Sequence, residues 1–362
     1  MSYFSFFSTL YLFLPLITQN YGLNKQYVGI IGFIYSFGSI LSGFSLANYI
    51  ENHPKKEIII NTIIIVKLIA LVFLVILNNY IFLLTGVFLI GYLGASFVGS
   101  NISQSENKGL VLAISSLGFI VGYLIGGIVG DFNKMLIIVA GILLISLLLN
   151  IVIKPFEQKQ IGKEINTPNS FEIIKKNWYI YLSLVLRHTG AAGIWIYFTY
   201  ILLNYYKMDL LVIGILNAVN IFVQTISNPI LYRFIQKDDQ KVKKVILMGY
   251  VLSAIYFLIF PFTKEIYILL ALQVILGISF TSLYIGNIEY LTINNREKIT
   301  AVTLISSSFS FANSLGALIS AFLVKFGYIW LFLNGFLLSL ISSLIVFFIL
   351  TQEKMNSYLR TE

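Results

Sequence analysis

The chain has 362 residues, of which 58% are hydrophobic and only 11% are charged, whereas soluble domains carry roughly a quarter charged residues, so that class is excluded. Cysteine is absent, which removes disulfides, thiolate nucleophiles, Cys-ligated zinc and iron–sulfur centres; His53 and His188 stand too far apart to suggest a metal site, and no cofactor is expected. The formal net charge is +9, a surplus that would suit nucleic acid unless the positions of the cations explain it otherwise.

The apolar run starts at Met1 and the first basic residue is Lys25. Without a positive leading region, the first segment is expected to remain as a helix and not to act as a secretory signal. Runs of about 20 apolar residues, long enough to cross ~30 Å of hydrocarbon, then recur with short polar breaks. They fall at 2–20, 27–50, 57–78, 80–100, 108–131 and 134–154, and again at 177–203, 209–235, 244–262, 265–290, 298–324 and 328–350. The one long polar stretch, EQKQIGKEINTPNS, separates these two sets. An all-α integral membrane protein of twelve transmembrane helices in two pseudo-symmetric six-helix bundles is therefore expected. Its parts would be bundles at 1–154 and 177–351, a cytoplasmic linker at 155–176 and a cytoplasmic tail at 352–362.

Counting Lys and Arg by loop orients the chain. With the N-terminus inside, the inner loops and tail hold 17 and the outer loops 5; Lys67 and Arg187 lie within helices and complete the 24. Both termini are thus expected in the cytoplasm of a multi-pass cell-membrane protein, and the basic balance reflects topology, not nucleic-acid binding.

The fifth segment contains GFIVGYLIGGIVG, in which Gly118, Gly122, Gly126 and Gly130 recur every four residues beside Gly127. On a helix that spacing makes one shallow row. Glycine costs helix propensity, so close packing against a neighbouring helix must offset it. The two halves also repeat. A shift of 191 lays Glu106, Val111, Ile114, Ser115 and Ser116 on Glu297, Val302, Ile305, Ser306 and Ser307, which pairs the fifth helix with the eleventh. A shift of 185 lays Gly29, Ile30, Phe37 and Ser42 on Gly214, Ile215, Phe222 and Ser227, which pairs the second with the eighth. Such a duplication places a substrate site near the midplane between the halves.

In this arrangement the chain resembles the major facilitator superfamily over its whole length. After the second helix that family has glycine, three residues, Asp-Arg and a basic cluster; here Gly43 is followed by Asn48-Tyr49 and then Lys55-Lys56. The fifth helix is similar to the family's antiporter motif, with Gly127 in place of its proline and Asp131 in place of its last glycine; the family's arginine in the fourth helix falls near Val87. The resemblance implies a secondary transporter working by alternating access, with Asn48 at a gating position and export or exchange as the direction. It implies a small-molecule substrate, a lipid bilayer around a monomer, and H+ or Na+ as a possible coupling ion.

Several residues could carry transport. Arg187 lies about ten residues into the seventh helix, hence ~15 Å deep, where a charge usually faces a polar cavity. It would bind an anionic group of the substrate or a carboxylate that releases it during the cycle; alternatively it is held by carbonyls and never meets substrate. His188 is about 100° around the same helix, so the two cannot point the same way; it is a candidate for coupling or for neutral packing. Lys67 in the third helix would snorkel, pair or contact substrate, and Glu289 in the tenth is an interfacial charge or a gate partner. Asn217, Asn220 and Gln224 form a helical stripe in the eighth segment, and Asn313 joins Ser306, Ser310 and Ser320 in the eleventh. Amides facing lipid would lose hydrogen bonds, so these faces should turn inward, as a water-filled cavity or as interhelical glue. Trp195 and Tyr284 could stack on substrate or anchor the helices at the interface.

No Walker loop and no acid cluster suited to metal-dependent phosphoryl chemistry appears, so an enzyme is not expected. Buried cations outnumber buried carboxylates, which favours a small organic anion. A polyspecific exporter of hydrophobic compounds and a non-transporting sensor or scaffold with a transporter fold are the alternatives.

Overall fold

The computed structural model describes residues 2–44, 56–76, 79–104, 108–153, 170–236, 238–295 and 298–359. Among them, the long helices are α1 (Ser2–Asn20), α2 (Gln26–Phe44), α3 (Lys56–Ile76), α4 (Tyr80–Gln104), α5 (Lys108–Val129) and α6 (Phe132–Ile153). A short helix, Ser170–Lys176, precedes α7 (Trp178–Asn204), α8 (Leu210–Ile235), α9 (Asp239–Ile259), α10 (Ile266–Asn294), α11 (Lys298–Leu323) and α12 (Tyr328–Leu359). The fold is all-α, and α8 to α12 each contain, within the described residues, an apolar stretch long enough to cross a bilayer.

Helix ends depart from the hydropathy boundaries where local chemistry sets them. The ninth helix starts at Asp239, ahead of its apolar run, because the Asp238 carboxylate accepts a hydrogen bond from the Lys241 backbone N–H at 3.1 Å. Its far end tightens into a 3₁₀ turn, Phe260–Phe262, around Pro261. Between α5 and α6, Asp131 caps the new helix through the Lys134 N–H at 2.8 Å. The last helix outruns its apolar stretch and continues to Leu359.

Packing follows an internal twofold pattern. In the first half, α1 packs on α5 and α6, α2 on α4, and α3 on α4 and α6. Moving each helix six places along the chain gives the second half: α7 on α11 and α12, α8 on α10, and α9 on α10 and α12. The two most extensive contacts between halves, α5 with α8 and α2 with α11, exchange under the same operation. Duplication, read from short matches around α2/α8 and α5/α11, is thus visible in three dimensions.

The halves join at one end, where α1, α5, α7 and α11 finish and α2 and α8 begin. A Cβ built on Gly214 of α8 would lie 2.6 Å from the Tyr123 carbonyl oxygen of α5, and one on Gly127 would lie 2.9 Å from the Leu210 oxygen. On the symmetry-related side, a Cβ on Gly29 would lie 2.8 Å from the Ala317 oxygen. Tyr197 of α7 ties the same corner: its hydroxyl accepts from Gly29 N–H at 3.2 Å and donates to the Gln26 carbonyl at 3.3 Å. Thr199 Oγ1 donates to the Tyr11 carbonyl of α1 at 3.3 Å. The main buried apolar cluster crosses this seam, holding Leu12 and Phe13 together with Tyr197 and Leu216. At the opposite end a separate cluster, including Tyr181, Tyr250 and Ile305, draws only on the second half among the described residues.

These contacts correct the expectation of a single glycine row. Gly118 and Gly122 are buried, but Gly126 faces Leu12 and Phe13 of α1, whereas the crossing with α8 is made by Gly127, beside the row. A Cβ on Gly130 would meet nothing within 4 Å; with φ +65° it ends α5 in the left-handed region, where glycine carries no Cβ penalty.

Candidate functional site

The inner face of α8 carries Asn217, Asn220, Gln224 and Asn228, all buried. On one side of this stripe Gly214 meets α5, and on the other Val223 meets Gly277 of α10; the exposed positions Ile215, Phe222, Ile226 and Ile230 lie opposite. The amides therefore turn inward, as expected for groups that lipid cannot satisfy. Asn217 Nδ2 donates to the Ile213 carbonyl at 3.0 Å, and Gln224 Nε2 donates to Asn220 Oδ1 at 2.8 Å. The other ends of the two asparagines, Asn217 Oδ1 and Asn220 Nδ2, have no protein partner. A buried amide left unpaired costs about 1–3 kcal/mol, so these two atoms have bonding capacity that the described protein groups leave unused.

A second group lies across α10. Phe280, Tyr284 and Phe309 form a half-buried ring cluster, with Tyr284 5.4 Å from Phe309 and Phe280 6.0 Å from Phe309 between centroids. His188 meets Phe309 edge-on at 4.4 Å, and Asn313 lies within hydrogen-bonding reach of it. His188 Nδ1 has no protein partner. His188 shares a face of α7 with Trp195 and Thr199, two and three turns on, and Thr199 touches α1. Through Thr199 that face reaches α1, while Tyr197, on the other side of α7, reaches α2. α10 links the groups: Gly277 packs on Asn220, and Phe280, one turn further, packs on His188 at 6.3 Å.

Arg187 points elsewhere. Only 2% exposed, it is directed between α9 and α10, sharing the Phe280 ring with His188. Its Nε donates to Ser253 Oγ at 2.8 Å, and Ser253 pairs with Ser279 at 2.6 Å. Ser279 in turn donates to the Gly249 carbonyl at 2.8 Å, which gives the chain of hydroxyls one direction. The Phe257 and Phe280 rings flank the guanidinium at 5.9 Å each. No carboxylate reaches Arg187 among the described residues, and one terminal nitrogen, Nη2, has no partner. The residue expected to head the substrate site thus bonds within the second half, to Ser253, a placement that depth along the helix does not reveal.

The remaining candidates are dispersed. Trp195 meets Phe198 at a tilt, 5.1 Å between centroids, at the edge of the main core. Lys67 is buried in α3, which packs chiefly on α4 and α6, far from the seam. Glu289 is buried near the end of α10, beside Tyr232 of α8. Asn48 lies outside the described residues. Two further buried amides lie in α10, Gln273 and Asn287, and with the ring residues Phe280 and Phe309 they are not among the residues expected from the sequence. Gln273 donates to the Tyr256 hydroxyl at 3.2 Å, and Asn287 adjoins Tyr250. Their signal was available: Gln273, Phe280, Tyr284 and Asn287 follow helical spacing on one face.

The comparisons with known proteins agree with this architecture. Two crystal structures of the nucleoside transporter NupG are similar to it. One, of a point mutant of NupG, superposes with a TM-score of 0.76 at 13% identity, covering 96% of this chain and 97% of that one. The other NupG structure gives 0.71 at 13% identity, with 97% and 98% covered. No curated protein sequence matches the chain. The family model described as Major Facilitator Superfamily matches residues 180–360, half of the chain, and with the duplicated six-helix packing this places the protein in that superfamily of membrane transporters.

Proposed function

We propose that the chain is a secondary transporter that carries a small, uncharged polar solute with a planar ring, nucleosides being the nearest such chemistry, through the space between its halves by alternating access. The observation that carries this reading is the ring cluster of Phe280, Tyr284 and Phe309, edged by His188 and Asn313 and joined through α10 to the unpaired amide atoms of Asn217 and Asn220. Rings offer stacking, and amides and an imidazole offer donors and acceptors, while the Arg187 guanidinium that also meets Phe280 is engaged by Ser253; together they suit a base-like ring bearing polar groups. The name of the NupG relatives agrees with that chemistry, although 13% identity speaks only for the fold. Asn217, Asn220, Gln224, Asn313 and Tyr284 are the proposed contacts.

In this reading the protein is a monomer in the cell membrane, with both termini cytoplasmic. Bundles at 1–154 and 177–351 rock about the site, joined by the linker at 155–176, with the tail at 352–362. The joined end is then the outer one. A proton or sodium gradient drives the cycle, and His188, Glu289 and Asn48 are the residues to test for coupling or gating. The direction is open to assay; the motif in α5 favours export or exchange.

A second reading has one specific observation behind it. Arg187 has an unpartnered Nη2 and no carboxylate among the described residues, so an organic anion could complete it. Proteoliposomes loaded and assayed with labelled uridine, adenosine and a set of small carboxylates separate the two. Saturable nucleoside flux that Asn220→Leu abolishes and Arg187→Met spares supports the first reading; carboxylate flux lost in Arg187→Met replaces it with the second; no flux of any solute under either gradient favours a sensor.

A further inference from the structure

A cavity of about 380 Å³ lies away from the inter-half site, between the end of α7 and the start of α12. Its lining includes Ile201, Tyr205, Tyr206, Tyr328, Trp330 and Phe332. The rim is exposed, with Trp330 at 53% and Phe326 at 62% of full accessibility. Amphipathic rings of this kind sit where hydrocarbon meets headgroups.

Cations gather on the same rim. Lys264 Nζ stands 4.8 Å from the centre of the Tyr205 ring, and Lys25 Nζ stands 5.6 Å from that of Tyr328. Lys207 follows Tyr206 in the chain, and Lys325 precedes Phe326. Two acids share these loops. Asp209 is engaged as the cap of α8, accepting from Val212 N–H at 2.8 Å, and Glu265 stands at the head of α10. Neither Lys25 nor Lys264 has a carboxylate partner among the described residues. An aromatic cleft with an exposed rim, edged by two ammonium groups that no described carboxylate neutralises, complements a lipid with a negative head.

We infer that this cavity is a binding site for one anionic phospholipid, whose acyl chain fills the aromatic cleft and whose phosphate lies between Lys25 and Lys264. A zwitterionic lipid offers the same chain but brings its own cation against the lysines. The site also has a conformational consequence. Lys25 belongs to the turn between α1 and α2, in the first half, whereas Tyr205, Lys264 and Tyr328 belong to the second. A headgroup held by both lysines bridges the halves at their joined end, and a ligand that binds one arrangement better shifts the population towards it.

The test is native mass spectrometry of the intact protein released from nanodiscs of equal phosphatidylglycerol and phosphatidylcholine. Wild type is expected to retain phosphatidylglycerol about tenfold over phosphatidylcholine. The double variant Lys25→Gln/Lys264→Gln should retain the two equally, with phosphatidylcholine retention unchanged as the sign of an intact fold. Ile329→Trp, which adds bulk at the cleft, should lower retention of both. Equal retention by wild type, or a phosphatidylglycerol preference that survives in the lysine variant, overturns the inference.

Discussion

Gly127 of α5 and Gly214 of α8 face each other across the two halves, each so placed that a Cβ built on it would lie within 3.5 Å of the other's Cα. With hydrogen at both positions, two backbones from different halves come into direct contact. Any side chain at Gly214 would strike the Tyr123 carbonyl at 2.6 Å, an obstacle that cannot rotate away. Gly214→Ala is therefore expected to separate the joined ends and cost about 1–3 kcal/mol of overpacking. Cysteines introduced on either side of the seam, into a chain that has none of its own, should crosslink more slowly in the variant; an unchanged rate would refute the contact.

Burial of Arg187 without a counter-ion makes an unusual stability prediction. Removing a buried charge that nothing neutralises relieves desolvation, so Arg187→Met should leave the melting temperature in detergent unchanged or raise it. Ser253→Ala, by contrast, strips the acceptor from Arg187 Nε and should destabilise by about 1–3 kcal/mol. A melting temperature that falls in Arg187→Met and holds in Ser253→Ala would invert this account.

The amide stripe and the ring cluster should respond differently in transport. Asn220→Leu removes the unpaired Nδ2 together with the acceptor for Gln224, and a buried site built to hydrogen-bond a solute should lose at least tenfold in flux at low concentration. Phe309→Leu keeps apolar volume but removes the ring against His188, so apparent affinity should weaken while maximal rate holds. Concentration-dependent uptake distinguishes these, and a uniform loss of maximal rate in both would argue for misfolding.

Acid should loosen the start of α9. The backbone N–H of Lys241, and then its ammonium, hold the Asp238 carboxyl below its ordinary range. A lowered folded value means that the stabilisation is complete above the ordinary aspartate pKa of about 3.9 and disappears as pH falls through the folded value. Hydrogen exchange in the first turn of α9 should therefore accelerate below about pH 4 in wild type and show no such step in Asp238→Asn.

Much of the architecture could be read before any coordinates, for reasons that individual residues illustrate. Lipid admits only helices with satisfied backbones, so apolar length alone located α8 to α12. Duplication left Gly29 and Gly214 at equivalent positions, and both proved to be contact glycines. Asn217 and Asn220 had to face inward, since nothing outside could bond them. Rotation was harder. Arg187 and His188 are adjacent and equally deep, and the partners that separate them, Ser253 for one and Phe309 with Asn313 for the other, are a few among many such residues. The glycine row misled for a similar reason: a repeat of four marks a stripe, but the partner helix crosses at an angle and met Gly127 beside it. The stacking set was overlooked because 30 Phe and 23 Tyr are a background against which Phe280 and Phe309 do not stand out.

The confinement of Arg187 to the second half also has an electrical consequence. Its hydrogen bonds run to Ser253, and onward to Ser279 and Gly249, all in α9 and α10. If the halves rock as rigid bodies, that charge travels with its own surroundings and crosses little of the membrane field, although a full crossing would be worth about 2.3 kcal/mol per 100 mV. Any voltage dependence of the cycle would then report the charge of the solute or its co-ion and would leave this arginine silent.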